Sequence, residues 1–232
     1  LPTAVQHEQL GTGHAVGCAR EALPGFDGTV LVLYGDSPFI STATLQALVA
    51  RRAGADKPAV VVLGMRPQDP AKYGRLILDK SGMLDRIVEW KEASEAERAV
   101  TLCNSGVMAV DGTILFSLVN ALKNNNAKKE FYLTEIIALA RQQGRTCSIV
   151  EAEEEELLGI NDRADLAHAE AALQHRLRQA AMKAGVDATI SVTLGATLHW
   201  EACPSPPPHV GGEVDRLLTQ RWPASPHHLD RK

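Results

Sequence analysis

The sequence predicts an α/β fold, because short apolar segments alternate with amphipathic helical segments from residue 11 to about residue 150. This alternation favours a mostly parallel sheet with helices on both faces. One apolar segment, 29–33, ends abruptly in Tyr34, Gly35 and Asp36. A strand covered on both faces can present polar groups to a ligand only at its carboxyl end. Asp36 is therefore a candidate metal- or phosphate-binding residue, with an ordinary turn or helix cap as the alternative.

The first elements follow from local patterns. Residues 11–23 and 41–52 predict helices, and residues 29–33 and 59–65 predict strands. Ser41 is expected to cap the second helix, because its hydroxyl can accept from a free N–H of the first turn. Residues 75–78 and 84–89 flank a polar turn at 79–82, which predicts a β-hairpin inserted into the sheet. Such a hairpin is expected to line one side of a substrate site.

The later elements continue the alternation. Strands are predicted at 106–110 and 146–150, and helices at 113–122 and 134–143, the second ended by Gly144. The acidic run 151–156 predicts a solvated edge, because like charges repel and stay hydrated. Asp162 is expected to cap a connector helix at 163–185, after a partial catalytic domain at 1–162. Residues 186–232, which are proline-rich and lack periodicity, predict a disordered tail.

Composition narrows the functional classes. The chain has 232 residues, 45% hydrophobic composition and a net charge of −4, so it can bury a core but has no basic field for nucleic acid. Its four cysteines are far apart, which argues against zinc and disulfides and favours a cytoplasmic protein. The sequence shows no membrane span or signal peptide. It also lacks an initiator Met and opens as though within a strand, so we expect a fragment.

An amide-rich loop precedes the first predicted helix. Gln6 and Gln9 offer donor and acceptor groups suited to the edge of a base, and Gly11 lets the backbone approach a ring closely. Thr12 follows at the helix start, where anions are favoured. An ordinary loop-to-helix turn is the alternative interpretation.

A second group of polar residues flanks the predicted hairpin. Gly74 precedes its first strand, Glu89 follows its second, and Asn104 lies before the next strand. A carboxylate and an amide could together hold sugar hydroxyls. The alternatives are a surface charge for Glu89 and a turn residue for Asn104. Asn161 directly precedes the helix that Asp162 is expected to cap, and it has no role in that cap.

Taken in order, these motifs resemble one family. The chain contains QLGTGHA, LYGDSPFI, YGRL, IVEWKEA, NSGV, NNNAKKEFYLTEIIALA and GINDR. The combination resembles the uridylyltransferase domain of the bacterial bifunctional enzyme that makes UDP-N-acetylglucosamine, over residues 6 to about 185. The resemblance implies a Rossmann-like, glycosyltransferase A-like nucleotidyltransferase fold with a mixed sheet and an inserted hairpin. It also implies that N-acetylglucosamine 1-phosphate attacks the α-phosphorus of UTP and that pyrophosphate leaves, giving UDP-N-acetylglucosamine.

The resemblance assigns roles to individual residues. It implies that the uridine is contacted by Gln6, Gln9, Gly11 and Thr12, and that the ribose and phosphates are contacted by Tyr34, Gly35 and Asp36. It implies that Mg²⁺ is bound by Asp36, the catalytic residue, and by Asn161, consistent with the few protein oxygens that Mg²⁺ takes. It implies that the N-acetylglucosamine pocket is lined by Gly74, Glu89, Asn104 and Thr134.

The sequence departs from this family at both ends. The family begins with a strand and a loop of the form LAAGxGTRM followed by Pro-Lys, and no such segment occurs here. We therefore expect a sheet without its first strand, weakened UTP binding and impaired activity. The family trimerises through a β-helix that is also missing here. A related sugar-nucleotide synthase and a non-catalytic nucleotide-sugar-binding remnant remain alternatives.

Overall fold

The computed structural model describes residues 2–70, 73–126, 128–157, 159–185, 190–193 and 197–200. The chain divides into two compact units, Leu1–Asn161 and Asp162–Lys232. None of the described helices combines the length and the apolar character needed to cross a bilayer.

A six-stranded sheet organises the first unit. Its strands are β1 (Thr29–Val32), β2 (Val60–Met65), β3 (Arg75–Leu78), β4 (Leu84–Val88), β5 (Cys103–Asp111) and β6 (Cys147–Glu151). The order is β4-β3-β5-β2-β6, and β1 also pairs with β5. The predicted hairpin is present as the antiparallel pair β3–β4. The sheet is therefore mixed, as the family resemblance implies.

The prediction of a mostly parallel sheet is wrong. Among the pairs of this sheet that the structure describes, only β2–β6 is parallel, because β5 runs against β1, β2 and β3. Apolar periodicity identifies a strand but does not encode its direction. The strands β1, β2 and β6 still share one direction, so their carboxyl ends lie at the edge where β5 begins.

The described part of this unit contains five α-helices, namely α1 (Thr12–Cys18), α2 (Thr42–Arg52), α3 (Glu95–Arg98), α4 (Gly112–Ala121) and α5 (Ile136–Gln142). The predicted caps are confirmed. The Ser41 hydroxyl accepts a hydrogen bond of 3.1 Å from the Thr44 N–H. Gly144 follows α5 with a φ of 72°. Such a left-handed conformation after a helix favours glycine.

The core lies on both faces of the sheet. Alternate residues of β2 face opposite sides, with Val60 and Val62 packing in a cluster that includes α4 and α5, and Val61 and Leu63 packing in a cluster that includes Leu48 of α2. Every residue of β2 is buried. This two-sided burial explains why β2 reads as an unbroken apolar run.

Strand β1 differs from β2, although its sequence is equally apolar. All four of its residues are only half-buried, and Leu33 directly after it is 47% exposed. Among the described residues, its one sheet neighbour is β5. The residues of β1 still pack against both core clusters, Val30 and Val32 against one and Leu31 against the other, but less completely than those of β2, as is usual for a strand with fewer neighbours.

The acidic run 151–156 is not simply a solvated edge. The Glu156 carboxylate accepts from the Ser41 N–H at 3.0 Å and from the Thr44 hydroxyl at 2.6 Å, at the start of α2. Glu151 forms a 2.8 Å ion pair with Arg66. Negative charge at a helix N-terminus is stabilising. The run is exposed or half-buried, as expected for a solvated edge, but the contacts of Glu156 and Glu151 were not predicted because their partners lie far from the run in sequence.

The second unit contains α6 (Arg163–Lys183) and the antiparallel strands β7 (Ile190–Thr193) and β8 (Thr197–Trp200). Asp162 caps α6 as predicted, accepting from the N–H groups of Ala164 and Asp165. These eight strand residues lie within the segment that the sequence predicts to be a disordered tail. Residues 186–189, 194–196 and 201–232 lie outside the described residues, and the disordered tail stays a prediction.

Candidate active site

The end of the hairpin forms one half of the candidate site. Gly74 accepts a hydrogen bond from the Asn104 N–H at 2.8 Å through its carbonyl, which joins β3 to β5. The Glu89 carboxylate lies beside Gly74, since a Cβ built on Gly74 would stand 3.6 Å from Glu89 Oε2. The Thr134 hydroxyl donates to Glu89 Oε1 at 3.3 Å. The structure thus brings together all four residues assigned to the sugar pocket.

A local irregularity in β5 shapes this region. The register between β2 and β5 shifts between Val62 and Gly64. The Asn104 side-chain oxygen accepts from the Gly106 N–H at 3.0 Å, and the Ser105 hydroxyl donates to the Leu63 carbonyl at 2.7 Å. Irregular strand segments of this kind often re-aim side chains next to active sites.

Tyr34 packs against the irregular part of β5. A Cβ on Gly106, which has a φ of 88°, would come within 2.9 Å of the Tyr34 ring, so only glycine fits this approach. Burial raises the pKa of Tyr34, and the nearby charges of Asp36 and Glu89 raise it further, although a hydrogen bond with Thr12 opposes the shift. Tyr34 is therefore a neutral phenol close to both carboxylates.

The amide-rich loop is held against the chain before α5. Gly11 has a φ of 103°, and a Cβ there would lie 2.7 Å from the Phe131 carbonyl oxygen. The Thr12 hydroxyl accepts from the Leu133 N–H at 3.1 Å. The Gln6 side-chain nitrogen donates to the Gly11 carbonyl at 3.2 Å and lies 3.0 Å from His14 Nδ1. Three of the four residues assigned to the uridine are thus mutually supported.

The proposed metal ligands lie on adjacent loops. The Asp36 carbonyl accepts from the Ile160 N–H at 2.9 Å, which brings the loop after β1 to the residue preceding Asn161. The Asp36 carboxylate is exposed, with the Ser37 hydroxyl 3.4 Å away. No cluster of three or more His, Cys, Asp or Glu side chains suited to a metal occurs among the described residues. One carboxylate and one amide oxygen fit a hard ion that keeps several waters and phosphate oxygens.

Comparison with known proteins identifies the family. Residues 1–159 match the family model described as Nucleotidyl transferase. The chain belongs to the nucleotidyl transferase family. It is 58% identical over 194 residues to the "Bifunctional protein GlmU" of Rhodospirillum rubrum, covering 84% of this chain and 43% of that protein. It is 56% identical to the protein of the same name from Paramagnetospirillum magneticum, covering 80% of this chain and 41% of that protein. The chain spans less than half the length of these relatives.

Solved structures confirm the fold of this nucleotidyl transferase chain. A nucleoside-diphosphate-sugar pyrophosphorylase from Vibrio cholerae superposes with a TM-score of 0.53 at 12% identity, covering 71% of this chain and 66% of that one. A UDP-glucose pyrophosphorylase in complex with UDP-glucose gives a TM-score of 0.50 at 18% identity, covering 63% of this chain and 56% of that one. At these identities the likeness concerns the fold alone.

Two of the assigned residues in this nucleotidyl transferase chain are not tied to the others. Gln9 and Gly35 are both exposed, and a Cβ on Gly35 would meet nothing within 4 Å. The sequence motifs include two further residues of the region to which the sequence assigned no role. His14 lies against the Gln6 amide, and Arg75 is buried beneath the hairpin end. For Arg75, the sequence offered one signal of a special role, namely a charged residue next to Gly74 at the start of an apolar strand.

Proposed function

We propose that this chain carries the site for uridylyl transfer from UTP to N-acetylglucosamine 1-phosphate. A phosphate oxygen of the sugar phosphate forms a bond to the α-phosphorus of UTP, and the bond from that phosphorus to pyrophosphate breaks. The observation that carries the proposal is the joined cluster of Gly74, Glu89, Asn104 and Thr134. The Tyr34 ring packs against Gly106, two residues after Asn104, and Tyr34 is two residues before Asp36 in the chain, so it joins this cluster to the loop that carries Asp36.

The chain's own residues bind and align the reactants. The uridine is held by Gln6, Gln9, Gly11 and Thr12, and Gly35 lets the backbone approach the phosphates. Glu89 accepts hydrogen bonds from the sugar hydroxyls, and the Asn104 amide both donates to them and accepts from them. Asp36 and Asn161 would hold Mg²⁺, which would neutralise phosphate charge. Transfer then depends on alignment and charge neutralisation rather than on a protein nucleophile. The substrates and product are small cytoplasmic metabolites, so we place the chain in the cytoplasm.

Thermal melts of the chain test this function. A ligand that binds only the folded state stabilises it by about 2.7 kcal/mol at a hundred times its dissociation constant. For a domain of this size that corresponds to a rise of roughly 5–10 °C in melting temperature. We expect UDP-N-acetylglucosamine with Mg²⁺ to give the largest rise, UDP-glucose a smaller one and a CMP-sugar none.

Other outcomes have definite meanings. An equal rise with UDP-glucose would favour a related synthase with a different sugar, and a rise with the CMP-sugar would contradict the assignment of the base. A cooperative melt that none of these nucleotide sugars shifts would contradict the proposed function. Release of pyrophosphate from UTP and N-acetylglucosamine 1-phosphate then separates an active site from one that only binds.

A further inference from the structure

Arg75 is a buried cation directly beneath the sugar side of the site. Its side chain is among the largest that the structure buries completely, with 1% exposure. The guanidinium donates to the Tyr73 carbonyl at 2.6 Å and to the Pro70 carbonyl at 3.2 Å. It also lies 3.4 Å from the Arg98 carbonyl through Nε and 3.5 Å from Cys103 Sγ through Nη1. Its Cζ atom stands 4.8 Å from the centroid of the Trp90 ring.

The partners of Arg75 have a specific relation to the candidate site. Tyr73, Trp90 and Cys103 each directly precede or follow one residue of the sugar cluster. The neighbour of Tyr73 is Gly74, the neighbour of Trp90 is Glu89, and the neighbour of Cys103 is Asn104. One planar cation thus contacts all three chain segments that carry the cluster. Arg75 and Cys103 lie 28 residues apart in sequence, so the meeting of these segments depends on tertiary contacts.

We propose that Arg75 is a positioning residue that sets the relative placement of Gly74, Glu89 and Asn104, and thereby the affinity of the site for the sugar. This inference rests on the proposed function of the same site. Arginine suits the task because its planar fork donates in several fixed directions and its face stacks on an aromatic ring. Lysine keeps the charge but provides neither the fork nor the stacking plane.

The test compares two ligands on the same protein. UDP and UDP-N-acetylglucosamine are titrated calorimetrically into the full chain with Mg²⁺. The dissociation constant for UDP divided by that for UDP-N-acetylglucosamine measures the contribution of the sugar to affinity. A purely structural defect lowers the folded fraction and weakens both ligands equally, so it leaves this ratio unchanged. We expect Arg75→Lys to reduce the ratio by about fivefold or more, the size of coupling within one contact network.

Arg98→Lys is the matched control. Its guanidinium also lies 4.8 Å from the Trp90 centroid, but its side chain is exposed and donates only to the Trp90 carbonyl among the described contacts. Its carbonyl, which Arg75 uses, is unaffected by the substitution. We expect Arg98→Lys to leave the ratio within about twofold of the wild type, as surface substitutions usually do.

The outcomes separate the inference from the proposed function. A wild-type chain that binds both ligands equally has no sugar site, which overturns both. A wild-type chain that prefers UDP-N-acetylglucosamine, with an unchanged ratio in Arg75→Lys, overturns the positioning role alone. If Arg75→Lys shows no cooperative melt, Trp90→Leu decides, because it removes the ring face and keeps the hydrogen bonds of Arg75. A ratio unchanged in Trp90→Leu would then overturn the inference.

Discussion

On the sugar side of the candidate site Gly74 is buried and Glu89, Asn104 and Thr134 are half-buried, whereas Asp36 and Asn161 on the metal side are both exposed. The sugar side is connected by hydrogen bonds between β3, β4, β5 and the chain before α5. On the metal side, the hydrogen bond between the two loops runs from the Ile160 N–H to the Asp36 carbonyl.

This difference indicates how each half works. A sugar has no net charge, so its recognition depends on hydrogen-bonding groups that are placed before the ligand arrives. A metal–phosphate group brings its own charge and ordered waters, so it can organise exposed ligands around itself. We therefore expect substitutions on the sugar side to change selectivity and those on the metal side to change metal dependence. Four predictions follow this division.

The largest effect is expected at Asp36. Asp36→Asn keeps the shape of the side chain but removes the only negative charge of the proposed metal pair. Because even residues behind the metal ligands are commonly worth 10–100-fold in metal affinity, we expect the affinity for Mg²⁺ to fall by about a hundredfold or more. The measurement is the binding of UDP-N-acetylglucosamine at increasing Mg²⁺ concentration.

Asp27→Asn controls for the loss of one exposed acidic charge from the same unit. The melting temperature of both variants should stay close to that of the wild type, since both side chains are exposed. An Asp36→Asn protein with unchanged Mg²⁺ dependence would show that the metal is bound elsewhere. It would also remove the contrast between the two halves.

Glu89 is expected to give the next largest effect. Glu89→Gln replaces a charged acceptor with a neutral amide, and a hydrogen bond to a charged group contributes about 1.5–3 kcal/mol. We expect the affinity for UDP-N-acetylglucosamine to fall roughly tenfold, with the affinity for UDP nearly unchanged. Glu92→Gln, an exposed carboxylate three residues further on, is the control. Equal losses for UDP and UDP-N-acetylglucosamine would argue against a sugar contact.

The elements with strong local signals were predicted well. The Ser41 cap, the Gly144 helix end and the hairpin turn at 79–82 each depend on neighbouring residues, and each is present in the structure. The direction of β5 and the exposure of β1 were not predicted. Both depend on which strands meet in space, and an apolar run has the same appearance in a central strand and in an edge strand.

The candidate site shows the same limit of prediction from sequence. The resemblance named Gly74, Glu89, Asn104 and Thr134, and the structure brings them together. It could not name Arg75 as their common support, because that role arises from contacts with Trp90, Arg98 and Cys103 that no spacing reveals. The contacts of Glu156 were missed for a related reason, since its partners lie more than a hundred residues away.

Gly106 tests how tightly the sugar side is packed. Gly106→Ala places a Cβ 2.9 Å from the Tyr34 ring at a φ of 88°, whereas Gly82→Ala has a similar φ of 80° and meets nothing within 4 Å. The left-handed conformation alone costs a residue with a Cβ about 1–2 kcal/mol. We expect Gly82→Ala to lose about 1 kcal/mol of stability and Gly106→Ala to lose about 2 kcal/mol or more, measured by urea unfolding. Equal losses would show that Tyr34 moves freely.

The smallest effect concerns the support of the sugar side at low pH. Helix α3 ends at Arg98, whose carbonyl faces Arg75, and it begins with a capping box formed by Ser94 and Glu97. The Ser94 hydroxyl, the Ser94 N–H and then Arg86 lower the pKa of Glu97 to about 2, below its ordinary value of 4.5. A lowered pKa stabilises the fold above pH 4.5, and this contribution disappears as the pH falls towards 2.

The difference in melting temperature between the wild type and Glu97→Gln should therefore be constant above about pH 5 and shrink below it. A difference that does not vary with pH would show that the charge of Glu97 does not stabilise α3.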